Sequence, residues 1–171
     1  MEETLFLKYQ SLKRNIEAYD SVIVAFSGGI DSSLVAYVAG QVLGERALAV
    51  TSASASLKRA DLALAKKLAT DWGIRHKVIV TDELSKPNYR ANPVDRCFHC
   101  KTSLYTFLEE LAQSETVEVV LNGTNTDDLG DHRPGLIAAE NFAVHSPLAE
   151  CGFNKENIRA LAHSLGLANA D

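Results

Sequence analysis

Apolar residues in this chain fall into two patterns, short continuous runs and longer stretches with helical spacing. The short runs predict buried strands at residues 21–26, 47–52, 76–81, 117–121 and 143–146. The longer stretches predict helices at residues 2–19, 32–43, 57–72, 97–114, 135–141 and 154–165. Strands that alternate with helices of this length form crossover units. We therefore expect an α/β fold with a doubly wound, mostly parallel sheet of about five strands and helices on both faces.

Glycine, proline and asparagine mark the ends of these elements. Gly44 and Gly166 are expected to end helices, and Asn154 is a natural N-cap for the last one. Residues 82–96 carry two prolines and little periodicity, so they are predicted to form an irregular loop. We expect residues 1–171 to form a single domain in which the leading helix, within residues 1–19, leans on the sheet.

Composition narrows the class of protein. Of 171 residues, 46% are hydrophobic and 23% charged, as in ordinary globular domains. The net charge of −5 argues against a nucleic-acid partner. No apolar run approaches the ~18 residues that span a membrane, and the acidic start is unlike a signal peptide. Three cysteines cannot form a complete disulfide framework, so we expect a cytoplasmic protein. The sequence leaves a homo-oligomer open.

The strongest motif is Ser-Gly-Gly-Ile-Asp-Ser-Ser at residues 27–33, directly between a predicted strand and a predicted helix. Glycines allow close backbone approach, and the first turn of a helix presents free N–H groups and a positive dipole end to an anion. The motif lacks the lysine of the kinase P-loop and the GxGxxG of dinucleotide sites. We predict a phosphate-binding loop formed by Ser27, Gly28, Gly29, Asp31, Ser32 and Ser33.

Two further polar segments follow predicted strands, where parallel sheets bind ligands. Residues 51–56 are small and polar, so a purine could lie flat there against backbone groups near Thr51 and Ser52. A flexible connection accounts equally well for this segment. Residues 122–135 are rich in aspartate and begin with Asn-Gly-Thr, which places Gly123 and Thr124 among the predicted nucleotide contacts.

The aspartates of this last segment are candidate metal ligands. Mg²⁺ prefers carboxylate and phosphate oxygens, and arginine grips phosphate or carboxylate with two hydrogen bonds. Simple solvation of Asp127 and its neighbours is the alternative. We predict a metal site of Asp31, Asp128 and Asp131, and catalytic roles for these three and for Arg133.

A Cys-Phe-His-Cys motif opens the helix predicted at residues 97–114. Cys97 and Cys100 can face the same side of that helix, with Arg96 and Lys101 and the helix N-terminus lowering their pKa. We predict catalytic roles for both cysteines, and redox pairing, metal or iron–sulfur ligation and plain buried thiols remain open. Cys151, beside a glycine, is interpreted as a small core residue.

The string at residues 27–32 resembles the pyrophosphate loop of the N-type ATP pyrophosphatases, the PP-loop superfamily, whose fold is adenine nucleotide alpha hydrolase-like (HUP type). The chain is most similar to its LarE-type members, ATP-dependent sulfur transferases of nickel-pincer cofactor synthesis. The strings that carry this likeness lie at residues 27–32, 96–101, 123–135, 146–150 and 158–162.

The resemblance implies that the loop at residues 27–33 binds the pyrophosphate of ATP. It implies that Asp128 or Asp131 helps to hold Mg²⁺ and that Arg133 faces the nucleotide or an acyl substrate. LarE-type enzymes adenylylate a small-molecule carboxylate, release pyrophosphate and then transfer sulfur, from their own cysteine or from an iron–sulfur cluster. A cluster here would need ligands from beyond this chain.

The family continues past the point where this chain ends, into a segment with the sulfur-handling cysteine and an additional domain. The resemblance therefore implies a truncated or stand-alone nucleotide domain, in which adenylylation is better supported than sulfur transfer. An ammonia-using synthetase of the NAD, GMP or asparagine type shares the loop but needs no Cys97 or Cys100. A non-catalytic adenine-nucleotide-binding module is the third hypothesis. Release of pyrophosphate separates both enzymes from the module.

Overall fold

Four short strands form one parallel sheet in the computed structural model, which describes residues 2–52, 59–79, 108–128 and 144–167. They are β1 (Val22–Ala25), β2 (Ala47–Ser52), β3 (Arg75–Ile79) and β4 (Val119–Leu121). Their order is β3-β2-β1-β4, and β1 pairs in parallel with β2 on one side and with β4 on the other. The direction of winding therefore reverses between β1 and β4. In open α/β sheets such a reversal leaves a crevice at the carboxyl ends of the two strands.

Six α-helices accompany this sheet among the described residues. They are α1 (Glu3–Glu17), α2 (Ile30–Leu43), α3 (Arg59–Trp72), α4 (residues 108–115), α5 (Pro147–Glu150) and α6 (Lys155–Ser164), with a 3₁₀ turn at Gly44–Arg46. Helices α2 and α3 contact the strands, whereas α1 packs mainly on α2. Asn154 caps α6 as predicted. Its side chain accepts a hydrogen bond from the Asn157 backbone at 2.8 Å, and the Asn157 side chain accepts one from Asn154 N at 3.1 Å. Gly166 follows α6 with a φ of 72°, as expected after a helix end.

The alternation of side chains along β1 divides the core into two layers. Val22 and Val24 face a large cluster that includes buried residues of α1, α2, α3 and α6. Ile23 faces the other side, where it packs with Leu48 and with Leu108 of α4. The prediction of an α/β fold with a parallel sheet and helices on both faces is confirmed.

The predicted fifth strand is wrong. Of the residues predicted to form it, the structure describes 144–146, and these contribute a single parallel bridge, between Leu121 and His145. His145 donates its backbone N–H to Val120 O and accepts from Asn122 N, each at 3.0 Å, and α5 begins two residues later at Pro147. Proline lacks the N–H that would continue the ladder, so the strand ends after one bridge. The sheet has four strands among the described residues.

Several predicted elements lie outside the described residues. These are the loop at 82–96, the helix at 135–141 and the first part of the helix at 97–114. None of the described helices is long and apolar enough to cross a membrane.

Candidate functional site

The turn after β1 has the geometry of an anion-binding loop. Gly28 adopts a φ of 88°, a conformation that L-residues rarely take, and Gly29 then forms the N-cap of α2 without any capping side chain. Two serine side chains stabilise the turn by hydrogen bonds to its own backbone. Ser32 Oγ accepts from Ser27 N at 3.1 Å, and Ser27 Oγ accepts from Gly29 N at 3.3 Å. The N-terminus of a 14-residue helix is thereby presented at the carboxyl edge of the sheet.

The segment after β4 lies directly against this turn. A side-chain carbon at Gly123 would fall 2.7 Å from Ser32 N and 2.9 Å from the carbonyl carbon of Asp31. Only glycine allows so close an approach of two backbones. The structure thus gives Gly123 a packing role, and its contact with a nucleotide stays a prediction, as does that of Thr124.

Side-chain amides hold the rest of this segment in place. Asn122 Oδ1 accepts from Thr124 N at 3.1 Å and from Ser146 Oγ at 2.7 Å. Asn125 Oδ1 accepts from Asp127 N at 2.9 Å, and Asp128 Oδ2 accepts from Asn125 N at 3.1 Å. Both asparagines are buried, so these hydrogen bonds hold the segment in its turns and tie it to Ser146.

Asp31 is the point at which three parts of the chain meet. Its Oδ1 lies 2.6 Å from Lys155 Nζ at the start of α6, and its Oδ2 accepts from Asn125 Nδ2 at 3.1 Å. The backbone N of Lys155 donates to Asp127 Oδ2 at 2.8 Å. Asp127 therefore sits at the N-terminus of α6, where the helix dipole favours a negative charge.

Lys155 and Asn125 are functional candidates that the sequence analysis missed. The contacts with Asp31 span 124 and 94 residues respectively, so no local spacing indicates them. The available signal was indirect. Asn154 was recognised as an N-cap, which places Lys155 in the first turn of a helix that follows a candidate site segment.

The predicted magnesium ligands are only partly described, because Asp131 lies outside the described residues. In the part of the chain that the structure describes, no three histidine, cysteine or acidic residues form a group that could hold a metal. The donors that are present, the carboxylates of Asp31 and Asp128, are of the oxygen type that Mg²⁺ prefers. They fit this ion chemically, and their role as ligands stays a prediction.

The predicted purine-binding segment begins with a hydroxyl that is already engaged. Thr51 Oγ1 donates to Phe26 O at 2.7 Å, so it accepts from His76 Nε2 at the same distance. Burial, together with the Lys66 ammonium, lowers the pKa of His76 and favours its neutral form. The proton of the Thr51 hydroxyl is therefore already used and is not available to a base bound here. The Ser52 side chain and residues 53–58 lie outside what the structure describes.

Only one of the three cysteines, Cys151, lies in the described part of the chain. Cys97 and Cys100 lie outside it, as does Arg133, so the predicted roles of these three residues are untested. Cys151 is half-buried against the core, as predicted, and its Sγ lies 3.6 Å from Ser11 Oγ. Burial raises the pKa of this thiol.

Comparison with known proteins places this geometry in a family. Residues 7–131 match the family model described as asparagine synthase. The chain belongs to the asparagine synthase family. Its domain is of the PP-loop ATP pyrophosphatase type, so the superfamily indicated by the motif at residues 27–32 is confirmed.

Two curated relatives align over almost the whole of this asparagine synthase-family domain. A protein of Synechocystis whose function is uncharacterised is 42% identical over 94% of the chain. The pyridinium-3,5-bisthiocarboxylic acid mononucleotide synthase of Lactiplantibacillus plantarum is 35% identical over 97%. The chain spans 60% of the length of each relative.

A solved structure supports the fold. The NH3-dependent NAD synthetase of Campylobacter jejuni superposes with a TM-score of 0.78 over 98% of this chain and 75% of its own. The two sequences are 20% identical, so this similarity concerns the fold alone.

The close contact of Gly123 yields a first prediction. Gly123→Ala forces backbone atoms apart and should lower the free energy of unfolding by about 1–3 kcal/mol. Gly29→Ala is the matched control, because its new carbon would meet only Ser27 Oγ, at 3.5 Å, and its φ of −73° suits any residue. Because alanine is a poorer N-cap than glycine, it should lower stability by about 0.5–1 kcal/mol, less than the loss at Gly123. Urea denaturation measures both, and equal losses would contradict the packing role of Gly123.

Proposed function

We propose that this chain is the adenylylating domain of an ATP-dependent sulfur-transfer enzyme of the LarE type. It activates a substrate carboxylate with ATP, releases pyrophosphate and so prepares the acyl group for sulfur insertion. The adenylylation step is supported by the turn at residues 27–33. This turn presents a helix N-terminus without a side-chain cap at the crevice between β1 and β4. The sulfur half is supported by the relative named a bisthiocarboxylic acid mononucleotide synthase, 35% identical over 97% of the chain.

The proposed step is an in-line displacement at the α-phosphorus of ATP. A carboxylate oxygen of the substrate forms a bond to that phosphorus, and the bond between the α-phosphorus and its bridging oxygen breaks. The products are an acyl adenylate and pyrophosphate, which leaves with the electron pair of the broken bond. Negative charge grows on the leaving group, where the α2 N-terminus and the serine hydroxyls stabilise it.

Asp31, Asp128 and Asp131 are the residues that would hold Mg²⁺. When bound, this ion would neutralise charge on the phosphate oxygens. Buried Asn125 donates to Asp31 Oδ2 from its side chain and to Asp128 Oδ2 from its backbone, which would reduce the reorganisation needed during the reaction.

The substrate class follows from the relative's name. The enzyme from Lactiplantibacillus plantarum is named for a thiocarboxylic acid on a pyridinium mononucleotide, so we infer a pyridinium carboxylate mononucleotide as substrate here. Arg133 would hold its carboxylate or phosphate with two hydrogen bonds. Cys97 and Cys100 are the candidate sulfur-handling residues, and an iron–sulfur cluster would require further ligands from beyond this chain.

An ammonia-using synthetase is the second candidate function. It would use the same loop and the same displacement, but it would need no reactive thiols. The superposition with an NAD synthetase does not favour it, because at 20% identity that similarity extends only to the fold.

Exchange of pyrophosphate into ATP tests the adenylylation step. With ATP, Mg²⁺ and pyridine-3,5-dicarboxylic acid mononucleotide, the chain should exchange radiolabelled pyrophosphate into ATP. Asp31→Asn keeps the shape of the side chain but removes its charge. It should lower the exchange rate about 100-fold, equivalent to about 2.7 kcal/mol of transition-state stabilisation.

Asp20→Asn is the matched control, since the Asp20 side chain is 90% exposed and its nearest cation, Arg46, lies 3.8 Å away. It should exchange at the wild-type rate. An absence of exchange in the wild type would favour a nucleotide-binding module over an enzyme, and full activity of Asp31→Asn would remove Asp31 from the mechanism.

The sulfur branch requires accessible thiols. In native protein at neutral pH, Cys97 and Cys100 should react with iodoacetamide or be recovered as a disulfide. Cys151 should react more slowly, because burial raises its pKa. Mass spectrometry of peptides from briefly labelled protein gives the three rates. If Cys97 and Cys100 are reduced but resist labelling, they are core residues. That result would favour the ammonia-using synthetase over the sulfur-transfer enzyme.

A further inference from the structure

The ion pair between Lys155 and Asp31 joins a cation to a carboxylate that is itself predicted to bind a cation. The two charged atoms are 2.6 Å apart, and the side chains are only 36% and 24% exposed. Water therefore screens their attraction less than it would that of an open surface pair. With Asn125 on the other carboxylate oxygen, both oxygens of Asp31 already have protein partners.

We propose that Lys155 is a resident counter-ion, which occupies the metal-binding oxygen of Asp31 until a nucleotide arrives with its own negative charge. The proposal rests on the proposed function only in taking Asp31 as a metal ligand. It adds that divalent-cation binding is made dependent on nucleotide, by a lysine to which neither the motif nor its spacing assigns a role.

The balance of charge around Asp31 supports this role of Lys155. A divalent cation on Asp31 would need to lie about 2.1 Å from an oxygen that has an ammonium nitrogen 2.6 Å away. The pair is neutral as a whole, so it offers a second cation little attraction. The phosphates of a nucleotide add several negative charges beside α2, and the same place then becomes favourable for both cations.

The other charged groups nearby do not replace the lysine. Asp127 lies at the N-terminus of α6, where it accepts from the Lys155 backbone, and Asp128 accepts from the Asn125 backbone. These contacts hold the two carboxylates within the turns of their segment. The side chain of Lys155 is the cationic group paired with Asp31 among the described residues.

The side chain of Lys155 can leave Asp31 without disturbing its helix. The α6 N-terminus is fixed by the reciprocal hydrogen bonds of Asn154 and Asn157 and by Asp127, which contacts the backbone of Lys155. None of these contacts uses the ammonium group. A flexible four-carbon stem allows that group to move while the backbone stays in place.

A purely structural ion pair, which only ties α6 to α2, is the alternative. Removing such a pair would lower stability and leave the affinity for metal no higher than before. Removing a competing counter-ion would instead raise the affinity of the nucleotide-free chain for a divalent cation. The two roles therefore differ in the sign of a measurable effect.

The experiment is a titration of the full chain with Mn²⁺, followed by the electron paramagnetic resonance signal of the free ion, without nucleotide. Lys155→Met should bind Mn²⁺ at least about tenfold more tightly than the wild type, because a unit charge is removed beside the ligand oxygen. Lys155→Gln should show the same gain if the methionine variant folds poorly. Asp31→Asn combined with Lys155→Met should lose the gain.

Lys8→Met is the matched control. Lys8 Nζ also reaches the start of α6, where it contacts Gly152 O at 2.8 Å and Asn157 Oδ1 at 2.9 Å, but it does not pair with Asp31. It removes the same charge and should leave the Mn²⁺ affinity unchanged.

A second titration adds α,β-methylene-ATP, which cannot release pyrophosphate but itself binds Mn²⁺, so the same titration without protein is subtracted. The analogue should raise the Mn²⁺ affinity more in the wild type than in Lys155→Met, whose site is already open. Equal Mn²⁺ affinities of the wild type and both neutral Lys155 variants, without nucleotide, would overturn the proposal. The Mn²⁺ titration measures no turnover, so its outcome is independent of the pyrophosphate exchange assay. The role of Lys155 can hold although exchange fails, and exchange can succeed although Lys155 has no such role.

Discussion

The contact between the backbone at Gly123 and the first turn of α2 is the constraint on which the site depends. A single added carbon would lie 2.7 Å from Ser32 N, so the segment after β4 is pressed onto the turn after β1 as closely as two backbones allow. The contact exists because β1 and β4 are neighbours in the sheet, which brings the ends of both strands together. It places Asn125 within reach of Asp31.

Two helix N-termini and two carboxylates then share a small volume. The starts of α2 and α6 both favour negative charge, which Asp31 and Asp127 supply, and Lys155 balances the first of these. The two helix N-termini and Lys155 place positive charge at this end of the sheet. In the proposed reaction, this charge would stabilise the pyrophosphate as it leaves.

The sequence was informative wherever the cause was local. Short runs rich in apolar residues predicted the four observed strands, and the serine–glycine string predicted the glycine turn before α2, because both depend on adjacent residues. The expected fifth strand is reduced to one bridge because Pro147, two residues after His145, lacks the N–H that would extend the ladder, a limit that the apolar pattern of residues 143–146 alone does not show. Lys155 was missed because its contact with Asp31 crosses 124 residues and exists only once the sheet order is known.

The central claim is that the turn at residues 27–33 binds the phosphates of ATP. Amide chemical-shift mapping by NMR, with ¹⁵N-labelled chain titrated with Mg²⁺–ATP and separately with pyrophosphate, tests it most directly. We predict that both ligands shift the amides of Gly28, Gly29, Ser32 and Gly123, whereas those of α1 and α4 stay in place. Shifts confined to other parts of the chain, or none at saturating pyrophosphate, would contradict the account.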